Sequence, residues 1–250
     1  MISIETSFGL RDRVAVITGG ASGIGKACVQ ALRECGVHVV SADRTYAGGG
    51  KADEVYCDVT DEQSTRRLAQ HSVNAYGRLD IWINAAGVME VIRRTVDQKP
   101  EEWDRVISVN LRGTYLGCKE AATVMQRSGG AIVNIGSVAA MAGIPASTAY
   151  GPSKAAVATL TRNLACEWAR LGIRVNCVAP GYIDTPMSRE LFKDDAEVRD
   201  TALSKVPMRK LGQPMDIAAT VLFLCSSAAA YITGVVMPVD GGWSASAGAR

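Results

Sequence analysis

Tyr150 and Lys154 stand four residues apart, and Ser137 precedes them by thirteen. On a helix, positions i and i+4 share a face one turn apart, so an ammonium can lie beside a phenol. A free phenol has a pKa of ~10, too high for proton exchange at neutral pH. A neighbouring ammonium favours the phenolate and lowers that value. Ser137 follows an apolar run, and its hydroxyl can hydrogen-bond a reacting oxygen and stabilise charge developing there. The chemistry these residues suit is proton exchange on oxygen. Alone the pair is weak: Tyr150 also reads as a helix-surface tyrosine and Lys154 as a solvated lysine. Their joint position after Ser137 and a glycine-rich start is what carries weight.

That start is Thr18-Gly19-Gly20-Ala21-Ser22-Gly23-Ile24-Gly25. Gly19, Gly23 and Gly25 lie between an apolar run and a helical one. There backbone can approach a pyrophosphate and a helix N-terminus offers N–H groups. The spacing is G-x-x-x-G-x-G rather than the commoner G-x-G-x-x-G, and its strand–turn–helix setting separates it from a plain glycine turn. Asp43 ends the next apolar run, where a carboxylate can accept from adenosine ribose hydroxyls and would repel a 2′-phosphate. No Lys or Arg between Gly19 and Gly25 offsets that repulsion, which favours NAD over NADP. Arg44 leaves the alternative open: it can bind a phosphate, cover adenine or face solvent.

Continuously apolar runs are expected as strands at Arg13–Thr18, Val37–Ala42, Glu54–Cys57, Asp80–Asn84, Ala131–Gly136, Ile173–Ala179 and Val235–Val239. Helical patterns fill Gly23–Cys35, Asp61–Tyr76, Glu101–Arg127, Ala149–Arg170 and Pro214–Ser226. Strands without polar alternation belong to a parallel sheet covered on both faces. The fold class is therefore α/β, a single doubly wound (Rossmann) domain over residues 1–250 with a seven-stranded parallel sheet flanked by helices. Gly48-Gly49-Gly50 reads as a loop replacing a helix between the second and third strands. The polar excursion Pro180–Leu211 contains a lid over the substrate, at about residues 182–211.

The chain has 250 residues, 48 % hydrophobic and 21 % charged, with a formal net charge of +2. That is an ordinary globular composition, with no electrostatic case for a nucleic-acid or membrane-surface partner. Seven cysteines without C-x-x-C spacing suggest reduced, mostly buried thiols in a cytoplasmic setting, and with only two histidines no metal site is expected. Met1–Leu10 lacks the pattern of a signal peptide. Ala218–Val239, the most apolar stretch, is interrupted by Ser226, Ser227, Gly234 and Pro238 and reads as a helix then a strand.

With these motifs in place, the chain resembles the short-chain dehydrogenase/reductase family, in its subgroup of about this length, from Arg13 to Gly242. Thr18–Gly25 and Tyr150-Gly151-Pro152-Ser153-Lys154 carry the resemblance. So do Asn84-Ala85-Ala86-Gly87 (usually Asn-Asn-Ala-Gly), Asn110 in Val109-Asn110-Leu111, Pro180-Gly181 leading to Thr185, and the closing Val239-Asp240-Gly241-Gly242. The resemblance implies reversible hydride transfer between a nicotinamide and a carbonyl or secondary alcohol. It implies Tyr150 as general acid/base and Ser137 as the carbonyl-binding hydroxyl. Lys154 would lower the Tyr150 pKa and bind the nicotinamide ribose. Asn110 would hold a water joining Lys154 to solvent; on residue chemistry alone it is a kink or capping asparagine. Asp58 and Val59 would line an adenine pocket; Asn84, Ala85 and Gly87 would pass along the adenosine ribose. Pro180 and Gly181 lead to Ile183 and Thr185, which would meet the carboxamide. A homotetramer is also implied.

The substrate, a small molecule, is not legible. Met89, Met141, Tyr182, Met187 and Leu191 are candidates for an apolar pocket, and Glu90, Arg93 and Arg94 for contact with a polar substrate. A small alcohol, sugar alcohol or hydroxy acid is expected. The alternatives are a carrier-linked 3-oxoacyl reductase using NADPH and a non-catalytic binding protein on the same scaffold. A sugar-modifying dehydratase fits less well, since such chains are usually longer.

Overall fold

The computed structural model describes residues 8–46, 53–192 and 195–246. The apolar runs form seven strands: β1 (Val14–Thr18), β2 (His38–Asp43), β3 (Glu54–Tyr56), β4 (Ile81–Asn84), β5 (Gly130–Ile135), β6 (Ile173–Pro180) and β7 (Val236–Val239). They make one sheet in the order β3-β2-β1-β4-β5-β6-β7, with every neighbouring pair parallel. The order reverses at β1–β4, where Val16 pairs with Trp82 and Ile17 with Ile83. A crevice opens outside the carboxyl ends of the strands at such a reversal. β7 carries Pro238, which an edge strand tolerates because no outer neighbour needs its N–H.

The helices are α1 (Gly23–Glu34), α2 (Glu62–Tyr76), α3 (Pro100–Ile107), α4 (Gly113–Met125), α5 (Tyr150–Trp168), α6 (Pro186–Phe192), α7 (Ala196–Ser204) and α8 (Pro214–Cys225). Alternate strand residues face opposite ways. Ala15, Ile17, Val39 and Ile83 pack with Leu32 of α1 and Val221 of α8. Val16, Val40, Trp82 and Ile132 pack with Leu68 of α2, Ala121 of α4 and Leu164 of α5. Both layers are dry, and truncating fully buried Leu32 to Ala would cost about 2–5 kcal/mol. Local signals set the helix ends. Asp61 caps α2 by accepting from the N–H groups of Gln63 and Ser64, and Gly77 closes it at φ +75°. Pro214 opens α8, where the Asp216 carboxylate accepts from Gln213 N at 2.7 Å.

The sequence differs from the structure in two main places. The helix expected over Glu101–Arg127 is α3 and α4 joined by a π-turn, Ser108–Arg112. The excursion Pro180–Leu211 contains α6 and α7, with Asp195 capping α7 through Glu197 N and Val198 N. Element bounds otherwise differ from the expected ones by a residue or two; β1, β3, β4 and β7 are each one residue shorter. The loop read at Gly48-Gly49-Gly50 lies outside the described residues. All seven cysteines are free and most are buried. Burial pushes the thiols of Cys28, Cys118 and Cys225 up to about 12.

Candidate active site

The sequence-predicted residues converge on the carboxyl ends of the strands. Gly19 follows β1 at φ +70°, and a Cβ there would lie 2.7 Å from Ala86 N. The turn after β1 therefore packs directly on Ala85–Ala86 after β4, and Thr18 Oγ1 accepts from Ala86 N at 3.4 Å. At Gly25 a Cβ would lie 2.1 Å from the Gly19 carbonyl, so α1 closes onto its own turn. Gly23, at φ +52°, places its open side 3.5 Å from Thr185 Cγ2, bringing the segment after β6 over the glycine turn. Ser22 precedes α1 with extended backbone and its side chain makes no capping bond, while Ile24 packs against the core. This is a cradle that side chains would fill, at a helix N-terminus, and it fits the pyrophosphate of a dinucleotide.

Asp43 leans across the cradle: Oδ2 accepts from Ala21 N at 3.3 Å and Oδ1 from Thr45 N at 3.0 Å. Arg44 is exposed in the short turn that follows. Asp58 is tied by Thr60 N at 2.9 Å and the Thr60 hydroxyl at 2.8 Å. Burial works to raise the Asp58 pKa, but these bonds and nearby Arg44 outweigh it and hold the carboxyl low. Val59 is buried under α4, against Gly113. Asn84 turns its side chain inward: Oδ1 accepts from Trp82 Nε1 at 2.7 Å and Nδ2 donates to Asn134 Oδ1 at 2.8 Å. Any part it plays beside a nucleotide falls to its main chain. Gly87 sits where a Cβ would be 3.4 Å from Asn110 Oδ1 and 3.6 Å from Lys154 Nζ. Gly181, after Pro180, packs on Asp240. Ile183 points into the core, and the Thr185 hydroxyl caps α6 by accepting from Ser188 N at 3.2 Å.

Tyr150 is the first residue of α5, and its phenol lies near enough to the Ser137 hydroxyl for that group to act on its pKa. Ser137 caps the short turn after β5, its Oγ accepting from Ala139 N at 3.1 Å. Lys154, one turn on, reaches back over the end of β5 and donates to the Ile135 carbonyl at 2.8 Å. Its Nζ lies 5.6 Å from the Tyr150 ring centroid. The expected lowering of the phenol by Lys154 is not what governs here. Burial dominates and raises the Tyr150 pKa, with the Ser137 hydroxyl opposing. Burial also lowers Lys154 to about 8, against a rise from nearby Cys177. The site thus holds a neutral phenol beside a hydroxyl, fitted to give a proton to a bound oxygen.

Asn110 lies in the π-turn, a kink as residue chemistry alone suggests. Its Oδ1 accepts from Val88 N at 2.9 Å, and Nδ2 donates to Val88 O at 3.0 Å and Ser153 Oγ at 3.2 Å. The side chain is thus engaged by protein groups, which leaves the Asn110 main chain for any bond to a water. Arg93 and Arg94 pair with Glu102 and Asp97, and Asp184 pairs with Arg189. Glu90 is buried, and its carboxylate accepts from Ala149 N and Tyr150 N. Sequence reasoning missed that contact, since nothing local to Glu90 marks a partner 59 residues away. No helix among the described residues is long and apolar enough to cross a membrane.

The model of a protein family described as enoyl-(acyl carrier protein) reductase matches residues 19–244. The chain is 38% identical over 245 residues to a 3-oxoacyl-[acyl-carrier-protein] reductase of Thermotoga maritima, covering 93% of this chain and 98% of that one. It is 39% identical over 245 residues to a cis-4-hydroxycyclohexanecarboxylate dehydrogenase of Sinomonas cyclohexanicum, covering 94% and 97%. A solved structure of a short-chain alcohol dehydrogenase from Sinorhizobium meliloti superposes with a TM-score of 0.89 at 38% identity, covering 96% and 99%.

Proposed function

The chain belongs to the short-chain dehydrogenase/reductase family and is an NAD(P)-dependent oxidoreductase acting on CH–OH; from that premise we propose that it interconverts a secondary alcohol and its ketone using NAD(H), with Tyr150 exchanging the proton on oxygen. The nicotinamide, when bound, gives or accepts the hydride. The observation that carries the reading is the meeting of Ser137, Tyr150 and Lys154 beside the glycine cradle. Ser137 orients the reacting oxygen by hydrogen bond and Tyr150 gives or takes its proton. Lys154, fixed on Ile135, keeps positive charge next to the phenol ring and can bind ribose hydroxyls. Gly19, Gly23 and Gly25 hold the pyrophosphate, and Asp58 with Val59 and Ala85–Gly87 flank the adenosine.

Asp43 supports NAD: its carboxylate is already oriented over the cradle by Ala21 and Thr45, where a 2′-phosphate would be repelled. The substrate is a small alcohol, sugar alcohol or hydroxy acid, and likeness to a dehydrogenase of a cyclic hydroxy acid supports the last. The segment 182–211 acts as the lid, the protein works in the cytoplasm, and it assembles as a tetramer. A second reading, a carrier-linked 3-oxoacyl reductase using NADPH, draws on the Thermotoga relative.

The test is nicotinamide absorbance against secondary alcohols, sugar alcohols, hydroxy acids, diketones and 3-oxoacyl thioesters, each with NAD(H) and NADP(H). Turnover of one small-molecule class with NAD(H) is expected. Turnover confined to carrier-bound thioesters with NADPH would favour the second reading. Silence across the panel would count against both.

A further inference from the structure

Glu90 is 5% exposed, a carboxylate taken out of water. Both of its oxygens are partnered: Oε2 accepts from Ala149 N at 2.8 Å and Gln98 Nε2 at 3.2 Å, and Oε1 from Tyr150 N at 3.1 Å. Those amides open α5, where Ala149 occupies the capping position with no acceptor of its own. A helix start ordinarily takes its cap from the adjoining residue. Here the cap comes from the segment after β4, and an anion suits that end of the helix dipole.

The segment bearing Glu90 is itself held. Asn110 grips Val88 on both its N–H and carbonyl, and Arg105 Nη2 donates to Met89 O at 2.9 Å. The same Asn110 donates to Ser153 Oγ, which donates to Tyr150 O at 2.7 Å. Beyond Glu90, Gln98 takes the Thr148 hydroxyl, and Trp103 Nε1 donates to Thr148 O at 3.0 Å. The first turn of α5 is thus gripped from a neighbouring element at Ala149 and Tyr150, while the adjoining Ser147 hydroxyl accepts only from Gly151 N, at 3.2 Å.

We propose that Glu90 is a positioning residue for Tyr150: its carboxylate fixes the first turn of α5 from the loop after β4 and so sets the phenol against Ser137. This rests on the reading of Tyr150 as the proton-exchanging group. The two amides bond separate oxygens of Glu90, and Gln would offer one oxygen and an NH₂ that meets one of those donors head-on. Glu90→Gln should therefore behave as a loss, whereas Glu90→Asp keeps both acceptors on a shorter stem.

The test compares wild type, Glu90→Gln and Glu90→Asp by amide hydrogen exchange of residues 149–151 and by phenolate difference absorbance, with Tyr150→Phe as the blank that isolates Tyr150. In Glu90→Gln the amides of 149 and 150 should exchange about 10-fold faster or more, a lost bond of roughly 1.4 kcal/mol. The Tyr150 midpoint should fall toward the free-phenol value of ~10 as its fixed, part-buried setting is lost. Glu90→Asp should recover part of both, and it carries the test should Glu90→Gln not fold. Faster exchange with an unmoved Tyr150 midpoint would make Glu90 a plain helix cap and overturn the inference. A moved midpoint with unchanged exchange would make it a distant charge and overturn it too, as would no change in either. Neither readout needs a substrate, so turnover retained by Tyr150→Phe would defeat the functional reading while leaving these results to stand.

Discussion

Lys154 Nζ stands 5.6 Å from the centroid of the Tyr150 ring while its hydrogen bond goes to the Ile135 carbonyl. The ammonium lies over the ring face, and its bond fastens α5 to the end of β5.

Tyr150→Phe removes the only proton carried at the phenol position and leaves ring and helix in place. Turnover should fall about 10²–10⁴-fold. NADH affinity, followed by its fluorescence, should stay within about twofold. Comparable losses in both would point to a binding role instead.

Burial holds Lys154 at about 8, against 10.5 for a free lysine. Below that lower value both folded and unfolded chains carry the proton, and the full cost of burying the ammonium is present. Between the two values the unfolded chain binds a proton that the fold does not, so rising pH favours folding. In urea titrations without cofactor, wild type should therefore gain up to about 3 kcal/mol relative to Lys154→Met as pH rises from about 8 to 10.5. The comparison cancels the thiols, which move the other way, except Cys177, whose shift is linked to Lys154. A constant difference would mean Lys154 keeps an ordinary pKa in the fold.

Asp43→Ser removes the carboxylate that reaches over the cradle. The ratio of kcat/KM for NADPH to that for NADH should rise about 10–100-fold, the scale of one close charge repulsion in a partly solvated site. An unchanged ratio would place the adenosine ribose away from Asp43.

Gly19 combines φ +70° with backbone atoms closer than 3 Å to any added Cβ. Gly19→Ala should cost about 1–3 kcal/mol in chemical denaturation and weaken NADH binding with it. Gly143 has open space on the same criterion, and Gly143→Ala should change stability by less than about 0.5 kcal/mol. Equal effects at the two positions would contradict the packing of the glycine turn on Ala86.

Much of this was legible in the chain. The inner strands could be read because they are apolar on both faces, and the gathering of Gly19, Ser137, Tyr150 and Lys154 because strand ends in such a sheet share one crevice. What escaped reading depends on distant partners. Asn110 bends its helix by bonding Val88, 22 residues away, and Glu90 finds its amides 59 and 60 residues on. Asn84 carries a family motif yet turns inward, because Asn134 on the adjacent strand offers it a buried partner. The sign of the Tyr150 shift escaped too, since spacing does not reveal the burial that raises it against the Ser137 hydroxyl.

The π-turn at Ser108–Arg112 has a further consequence for how this chain tolerates insertion and deletion. A π-turn is an α-helix with one residue to spare, and each residue advances the helix by about 100°. Deleting one residue there would heal the helix and leave α4 in phase, because the widened turn had absorbed the extra residue. Gly113 and Gly117, the side-chain-free notches that receive Val59, Trp82 and Asn84, would stay on the sheet, and what would be lost is the widened turn that carries Asn110 to Val88. The spare residue is thus a joint, and chains of this type that differ by a single gap at this point are expected to differ in whether the clamp on Val88 exists at all.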